Sequence, residues 1–397
     1  MNRPLVVIYG TILLDSIGIG LIFPILPRLI SDMMGQGAGV ALTYGVMLAI
    51  YAAMQFVFSP IMGLLSDRFG RRPVLLVSLA GAAIDYLLMA FAPALWLLFI
   101  GRAIAGLTSA NMATATAYIT DITPEEKRPQ RFGWFHAAFG IGFIIGPVLG
   151  GFLGDIWIRA PFAVAAVLNA LNFSLALFVL PESKPGRAIP FDLAALNPLR
   201  PLAWVKSIGP LLPLIGIWFV FNTTGQVYGT CWALWGEDAF NWNALWVGLS
   251  LGAFGLFHAI AQVTLPGPVS RRFGERNAML IGIACEGSSL IAIAVATAPW
   301  VVFAVMPIFS LGGVGVPALQ SLMTRQVAED RQGELQGVLA SIVSLASIVG
   351  PLFFAAVYFA VAPVWPGLIW LAGLAVYLCA IPVILRLRAA PQPAAAQ

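Results

Sequence analysis

Apolar runs of about 20 residues recur along almost the whole chain, with short polar connections between them. A helix of about 20 apolar residues is what a membrane crossing requires. Twelve such runs can be counted, at 4–30, 42–65, 73–91, 95–118, 132–154, 161–180, 208–232, 243–265, 277–296, 300–322, 333–359 and 363–387. Twelve crossings occupy about 240 positions, so a chain of 397 residues has no room for a sizeable soluble domain. The low fraction of charged residues, 10%, also indicates a membrane protein, since soluble domains have about 25%.

A charged island between the second and third runs is repeated in the second half. GLLSDRFGRRPVLL from Gly63 and GPVSRRFGERNAML from Gly267 are identical at seven of fourteen positions. The same offset of 204 residues places Gly146-Pro147 on Gly350-Pro351. Because many transporters are built from such internal repeats, the chain is predicted to be a doubled unit.

Lys and Arg predict how the chain is oriented, because these residues stay on the cytoplasmic side of a membrane. With both ends inside, the inner segments hold all of the 21 Lys and Arg residues except Arg28, Arg102 and Arg159. The basic residues therefore indicate membrane topology, and they do not indicate nucleic-acid binding. We predict a multi-pass protein of a bacterial inner (plasma) membrane with cytoplasmic termini.

A proline-rich polar stretch lies at the middle of the chain. Proline does not sustain helix interiors, so this stretch is predicted to be a cytoplasmic linker. The predicted domains are an N-terminal six-helix bundle at 1–181, the linker at 182–207, a C-terminal six-helix bundle at 208–388 and a tail at 389–397.

Asp15, Asp85 and Glu286 each interrupt an apolar run. A charge at the centre of a span costs about 2.5–3.5 kcal/mol, and such residues commonly face a polar cavity and handle ions or protons. Pairing with a neighbouring helix is the alternative, but Arg102 is the only basic residue well inside a span. Burial disfavours the charged form of a carboxyl, so these acids are predicted to load and release protons in a cavity between the two bundles.

Four further polar residues lie inside predicted spans: Gln55, Asn111, His258 and Gln262. Each either lines a pocket or forms a hydrogen bond between helices, and both uses occur in membranes. His258 and Gln262 are one helical turn apart on one face, which favours the pocket for this pair. The glycine-rich fifth span provides either a close packing face or, at Gly146-Pro147, a bend at a moving interface.

Three motifs resemble the major facilitator superfamily. GLLSDRFGRRP resembles its loop between spans two and three, Arg102 to Gly106 resembles its fourth-span element for proton transfer, and Gly142 to Gly151 resembles the fifth-span signature of its drug/proton antiporters. Segments along nearly the whole chain, such as LLDSIGIGLIFPILP from Leu13 and GQVYGTCWALWGEDAFNW from Gly225, are similar to the TetA-type tetracycline efflux antiporters.

This resemblance implies an all-α membrane protein with twelve transmembrane helices in two pseudo-symmetric six-helix bundles. It implies outward transport of a magnesium–tetracycline chelate in exchange for a proton, by alternating access and without a resident cofactor or metal. The predicted gating residues are Asp67, Gly70, Arg71, Arg72, Asp121, Gly146 and Pro147. Asp67 and Arg71 are expected to form a charge lock with the loop of Asp121, and this lock is expected to be asymmetric because Arg271 replaces Asp67 in the second copy. Proton coupling is predicted for Asp15, Asp85, Arg102 and Glu286, and substrate binding for Gln55, Asp85, Asn111, His258, Gln262 and Glu286.

The sequence departs from the family pattern at several positions that would line the cavity. Glu286 stands where Asp is usual, the segment from Thr108 to Met112 is bulkier and more polar, and Tyr228 and Cys231 differ in the seventh span. Two alternatives remain among transporters: an exporter of a different drug or metabolite, and a nutrient/proton symporter. A membrane sensor or a membrane-embedded enzyme would not explain the doubled loop, and the sequence shows no nucleophile–base constellation. We therefore predict a transporter that is not an enzyme.

Overall fold

The computed structural model describes residues 3–387 except 36, 38, 110, 125–126, 184–210 and 328–330, and these residues are almost entirely helical. The described helices are α1 Arg3–Met34, α2 Gly39–Phe69, α3 Arg71–Phe91, α4 Leu95–Thr108, α5 Asn111–Ile122, α6 Arg128–Ile156, α7 Ala160–Val179, α8 Leu211–Phe240, α9 Ala244–Thr264, α10 Pro266–Ala294, α11 Pro299–Leu311, α12 Gly315–Thr324, α13 Gln332–Val361, α14 Leu368–Leu378 and α15 Ile381–Arg386. A 3-10 turn, Gly312–Val314, joins α11 to α12. Most of the predicted linker and the whole tail lie outside the described residues.

Eleven spans within the described residues are long and apolar enough to cross a membrane. They correspond to eleven of the twelve predicted runs. The remaining run, 208–232, falls on α8, which has 30 residues but is not among the eleven. Asn222, Thr223, Thr224 and Gln226 lower its apolar character near the middle. The predicted all-α membrane fold is confirmed.

The fourth and tenth spans are interrupted at equivalent positions of the two repeats. The fourth breaks after Thr108 and the tenth at Gly312, which lies 204 residues later. Ser109 donates its hydroxyl hydrogen to the carbonyl of Gly106 at 2.8 Å, a local bond that competes with the helical ladder. The sequence predicted both spans as continuous, because a count of apolar residues does not register such breaks.

The chain folds into two compact units. The first unit comprises Met1–Pro198 and Asn241–Gly252, and the second comprises Leu199–Phe240 and Ala253–Gln397. The first unit thus includes the beginning of α9, a segment that the sequence pattern assigns to the C-terminal bundle.

In the first unit, glycines bring α6 into close contact with α1. Gly142, Gly146 and Gly150, spaced one turn apart, meet the α1 backbone at Leu13, Ile17 and Leu21, respectively. A Cβ atom at Gly146 would stand 2.6 Å from the carbonyl oxygen of Ile17. Small residues at this spacing allow helices to pack backbone to backbone. The packing role considered for the fifth-span glycines therefore has a direct structural basis.

The core of the second unit is built on α8, α10, α12, α13 and the end of the chain. Leu211, Leu214, Met279, Leu319, Leu335 and Ile384 are among its fully buried side chains. Gly350 of α13 packs against the side chain of Gln226, whose amide donates to the Ser347 hydroxyl at 3.3 Å. Polar residues of α8 are thus used between helices, as is common in membranes.

Candidate functional site

The charged loop of the first unit turns at Gly70, between α2 and α3. Gly70 has φ 99° and ψ 164°, a region that is accessible essentially to glycine alone. A Cβ atom there would also collide with the carboxylate of Glu182. That carboxylate accepts hydrogen bonds from the backbone N–H groups of Arg71 at 2.8 Å and Arg72 at 3.2 Å. Glu182 therefore caps the positive N-terminal end of α3.

Arg71 is the centre of an ion-pair cluster on this loop. Its guanidinium lies 2.7 Å from the carboxylate of Asp67 and 3.2 Å from that of Asp121, and it donates to the Ser66 hydroxyl at 3.1 Å. Its side chain is only 11% exposed. The structure thus joins the end of α2, the start of α3 and the end of α5, as the proposed lock requires.

Arg72, which is also predicted to act in gating, points elsewhere. It donates to the backbone carbonyl of Leu177 at the end of α7, at 2.6 Å. Pro147, another predicted gating residue, lies inside α6, and a Cβ atom at Gly248 of α9 would collide with its carbonyl oxygen. Arg72 therefore connects the charged loop to α7, and Pro147 connects α6 to the first part of α9.

The second unit carries a related turn with a different set of charges. Gly274 has φ 77° and ψ 160° and interrupts α10. Glu275 follows it, and its carboxylate lies 2.7 Å from the guanidinium of Arg325 and 3.4 Å from the Ser321 hydroxyl. In the sequence Arg271 stands out because it replaces Asp67, whereas the pair of Glu275 and Arg325 does not. The repeat offset applied to Arg71 and Asp121 would have found it.

Asp85 and Arg102 form a buried ion pair inside the first unit. They are 1% and 4% exposed, and besides the direct ion pair Arg102 Nε donates to Asp85 Oδ1 at 3.3 Å. Gly101 makes room for the Asp85 carboxylate, since a Cβ atom at position 101 would stand 2.8 Å from Asp85 Oδ1. Of the three predicted acids, Asp85 is therefore the one that Arg102 neutralises.

Asp15 lies half-buried on α1, and its carboxylate interacts electrostatically with the phenols of Tyr51 and Tyr86. Tyr86 reaches α1 at Gly18, one turn beyond Asp15. The guanidinium of Arg102 lies 5.6 Å from the centroid of the Tyr51 ring, an arrangement that attracts a cation. Tyr51 therefore connects Asp15 with the Asp85–Arg102 pair, a role that no motif or spacing predicts.

Two more predicted substrate residues belong to this unit. Gln55 is half-buried on α2, one turn after Tyr51 and on the same face. Asn111 is the first residue of α5, immediately after the break in the fourth span, and its side chain is outside the described part of the chain.

In the second unit, Glu286 of α10 lies beside two tyrosines. Tyr228 of α8 donates its hydroxyl hydrogen to Glu286 Oε1 at 2.9 Å, and the Tyr377 phenol of α14 interacts electrostatically with the carboxyl group. Tyr377 is buried, whereas Tyr228 and Glu286 are partly buried. In the sequence Tyr228 stands out only as a departure from the family pattern, and Tyr377 does not stand out at all.

His258 and Gln262 of α9 lie against the 3-10 turn. Gln262 donates to the carbonyl of Gly313 at 2.9 Å, and its amide nitrogen lies 3.4 Å from His258 Nε2. A Cβ atom at Gly312 would stand 3.0 Å from Glu286 Oε2. The two adjacent glycines of this turn therefore contact the predicted acid on one helix and the predicted polar pair on another.

The two units offer complementary chemistry. The first has a neutralised acid–base pair next to Asp15, and the second has a carboxyl group that accepts a hydrogen bond from a tyrosine and lies against a turn that His258 also contacts. Titratable groups inside apolar helices are typical of ion and proton pathways. Together with the duplicated charged loop, they define a multi-pass membrane transport protein.

The chain belongs to the major facilitator superfamily, whose family model matches residues 8–232 and 205–397. It is 47% identical to the class C tetracycline resistance protein of Escherichia coli over 97% of both chains. It is 40% identical to the class B protein of Escherichia coli, over 96% of this chain and 94% of that one. The family resemblance found in the sequence is therefore confirmed.

Solved structures of transporters share the fold. The nucleoside transporter NupG superposes with a TM-score of 0.80, over 97% of this chain and 99% of that one, at 13% sequence identity. A bacterial homologue of the human lysosomal transporter Spinster gives a TM-score of 0.79 over 96% of this chain and 95% of that one, at 15% identity. These similarities support the fold alone, and the predicted major facilitator architecture is confirmed.

Proposed function

We propose that this chain is a proton-coupled antiporter that exports tetracycline, as its cationic magnesium chelate, across a bacterial inner membrane by alternating access. The similarity to tetracycline resistance proteins along almost the entire chain carries this proposal. The termini and the charged loops are proposed to face the cytoplasm. The metal ion enters and leaves as part of the cargo.

The arrangement of buried acids supports the coupling. A carboxyl group in an apolar helix is costly as an anion, so it favours either a proton or a cationic cargo. Glu286 and Asp15 are proposed to accept these alternately, while Asp85 stays neutralised by Arg102. A carboxyl group that binds either a proton or the cationic cargo, but not both at once, is the simplest basis for exchange.

The cluster around Arg71 is proposed to hold one conformation of the first unit. It joins α2, α3 and α5 through partly buried ion pairs. Partial burial protects these pairs from screening, so they can bias a two-state equilibrium. A change that weakens them shifts the population of states even though it is remote from the cargo.

Growth of a sensitive bacterium that expresses the chain tests the proposal. Cells should survive tetracycline, and respiring inverted vesicles should accumulate it only when Mg²⁺ is present and no proton uncoupler is added. A quinolone belongs in the same panel, because the chain is also 25% identical, over 90% of both chains, to the quinolone resistance protein NorA of Staphylococcus aureus. Accumulation that persists in the presence of the uncoupler would contradict proton coupling. Cell growth on the quinolone but not on tetracycline would show that the cargo is a quinolone and not tetracycline.

A further inference from the structure

The carboxyl group of Glu286 lies beside tyrosines from two different helices. Tyr228 of α8 donates its hydroxyl hydrogen to it at 2.9 Å, and Tyr377 of α14 interacts with it electrostatically. A carboxylate that accepts a bond from a phenol is partly compensated for the loss of water. Two tyrosines therefore act on one carboxyl group, and Tyr228 does so by a direct hydrogen bond.

Packing fixes the position of both phenols. The Tyr228 ring lies 4.8 Å from the Phe309 ring centroid and 5.7 Å from that of Trp370. The Tyr377 ring lies 5.0 Å from that of Phe221. Rings held in this way have little freedom to turn, so the Tyr228 hydroxyl stays directed at the carboxyl group and the Tyr377 ring stays in place.

A phenol suits a group that changes its charge. Its hydroxyl donates a hydrogen bond to an ionised carboxylate, and its oxygen accepts one from a protonated carboxyl. Phenylalanine in the same place would keep the packing and lose both options. The Tyr228 phenol can thus remain hydrogen-bonded to Glu286 before and after protonation without any movement of a helix.

We propose that Tyr228 is a positioning residue that holds the Glu286 carboxyl group through its hydrogen bond in both charge states, that Tyr377 assists it electrostatically, and that the two tyrosines set the pH at which Glu286 exchanges its proton for cationic cargo. The cargo part of this inference rests on the proposed function, whereas the protonation part does not. Two positions at which the sequence departs from its family pattern, Tyr228 and Glu286, are thereby explained as one contact.

The reach of the side chain matters in this arrangement. Aspartate at position 286 would be shorter by one methylene group and would move the carboxyl away from Tyr228. Glu286→Asp should therefore resemble Tyr228→Phe, and the double variant should be no worse than either single one. Non-additivity of this kind identifies residues that act through a shared contact.

The other groups around Glu286 must be considered in any pH experiment. Tyr228 faces it from α8 and Tyr377 from α14. The 3-10 turn contributes the backbone of Gly312, and behind this turn lie His258 and Gln262 of α9. A His258→Gln variant therefore belongs in each series, so that imidazole titration is not attributed to the carboxyl group.

Infrared spectroscopy of the purified full-length protein in lipid tests the inference without any cargo. The carbonyl stretch that Glu286→Gln removes belongs to protonated Glu286, and its loss with rising pH gives a midpoint. Removing a donor to the charged form favours the protonated form. Tyr228→Phe and Tyr377→Phe should each raise the midpoint by about one pH unit, which is a tenfold change in proton affinity.

Tyr358→Phe is the matched control. Tyr358 is a buried tyrosine of the same unit whose hydroxyl bonds Asp238 at 2.6 Å, and its removal should leave the midpoint in place. An unchanged midpoint in folded Tyr228→Phe and Tyr377→Phe proteins would overturn the inference. If one variant does not fold, the other decides.

Transport by the same proteins in liposomes tests the cargo part, with magnesium and tetracycline as the probe. Ionised Glu286 should persist only at higher pH in the variants, so their pH profiles should shift to the alkaline side and recover there. A loss that is equal at every pH would indicate a merely structural role and contradict the inference. If the unmodified chain does not move tetracycline, the proposed cargo fails, and the infrared midpoint still decides the role of the tyrosines.

Discussion

Glu275 pairs with Arg325 at 2.7 Å, at the positions that Arg71 and Asp121 occupy 204 residues earlier, so the second unit repeats the ion pair of the first with its charges exchanged. The exchange extends along the repeat, since Asp67 corresponds to Arg271 and Glu182 to Arg386. Each half thus has its own charged turn after a glycine of positive φ. The sequence predicted a lock in the first half only, and the structure adds a second pair of inverted sign.

The two pairs differ in burial, which predicts unequal effects. Arg71 and Asp121 have side chains that are 11% and 16% exposed, whereas Arg325 is 63% exposed. Hydrogen bonds to charged groups away from water are worth more than exposed ion pairs. Asp121→Asn should lower export about tenfold, and Arg325→Gln about twofold or less. Uptake by inverted vesicles, normalised to protein in the membrane, measures both.

Arg331→Gln is the control for these variants, because Arg331 forms an exposed ion pair with Glu334 one turn away on the same helix end. Its effect should not be measurable. An Arg325→Gln loss as large as that of Asp121→Asn would show that both charged turns carry equal weight, contrary to the burial argument.

Gly70 and Gly274 share a backbone conformation but differ in their surroundings. A Cβ atom at Gly70 would collide with Glu182, whereas nothing lies within 4 Å of one at Gly274. Gly274→Ala should cost only the backbone strain of about 1–3 kcal/mol. Gly70→Ala should cost more and also disturb the cap on α3. Thermal unfolding of the purified proteins measures the difference.

Removal of the obstructing carboxylate separates the two costs at Gly70. In a Glu182→Ala background, Gly70→Ala should lower the melting temperature no more than Gly274→Ala does in the unmodified chain. An undiminished penalty in that background would mean that the collision with Glu182 plays no part.

The buried pair of Asp85 and Arg102 predicts a stability effect with a specific rescue. Asp85→Asn leaves a buried guanidinium without its charge partner, and such a loss typically costs about 3–5 kcal/mol. Replacement of both residues, Asp85→Asn with Arg102→Gln, should recover much of the stability because no lone charge remains. Thermal unfolding in detergent would show the recovery, and a double variant as unstable as Asp85→Asn alone would refute the argument.

The repeat and the apolar runs were enough to predict the fold, because the lipid environment imposes length and orientation on each helix. The predicted contact of Arg71 with Asp121 is also present in the structure. Two kinds of feature could not be read from the runs. The breaks after Thr108 and at Gly312 arise locally, the first with a hydrogen bond from the Ser109 hydroxyl to the Gly106 carbonyl. The contacts of Tyr228 and Tyr377 with Glu286 arise only when the helices pack together.

Glu182 is another residue whose role the sequence does not reveal. In the sequence it is one acid after the sixth run, next to a proline-rich stretch. Its role as a cap for α3 arises from a contact across more than 100 residues, which neither spacing nor charge pattern reveals. Residues that act through backbone groups, as Glu182 does with two N–H donors, leave no motif of their own.

Asp15 is expected to couple the proton to transport from the first unit. Asparagine at this position keeps the size and a polar group but cannot ionise, so Asp15→Asn should remove its electrostatic interaction with Tyr51 and Tyr86. Uphill accumulation of tetracycline in respiring inverted vesicles should fall at least about tenfold, while exchange of tetracycline at equal concentrations and equal pH on both sides persists. Ser16→Ala, which removes a neighbouring hydrogen bond to the carbonyl of Phe139 but no charge, is the control. Undiminished uphill accumulation by Asp15→Asn would remove Asp15 from the proton pathway, and loss of the downhill exchange as well would make it a structural residue of α1.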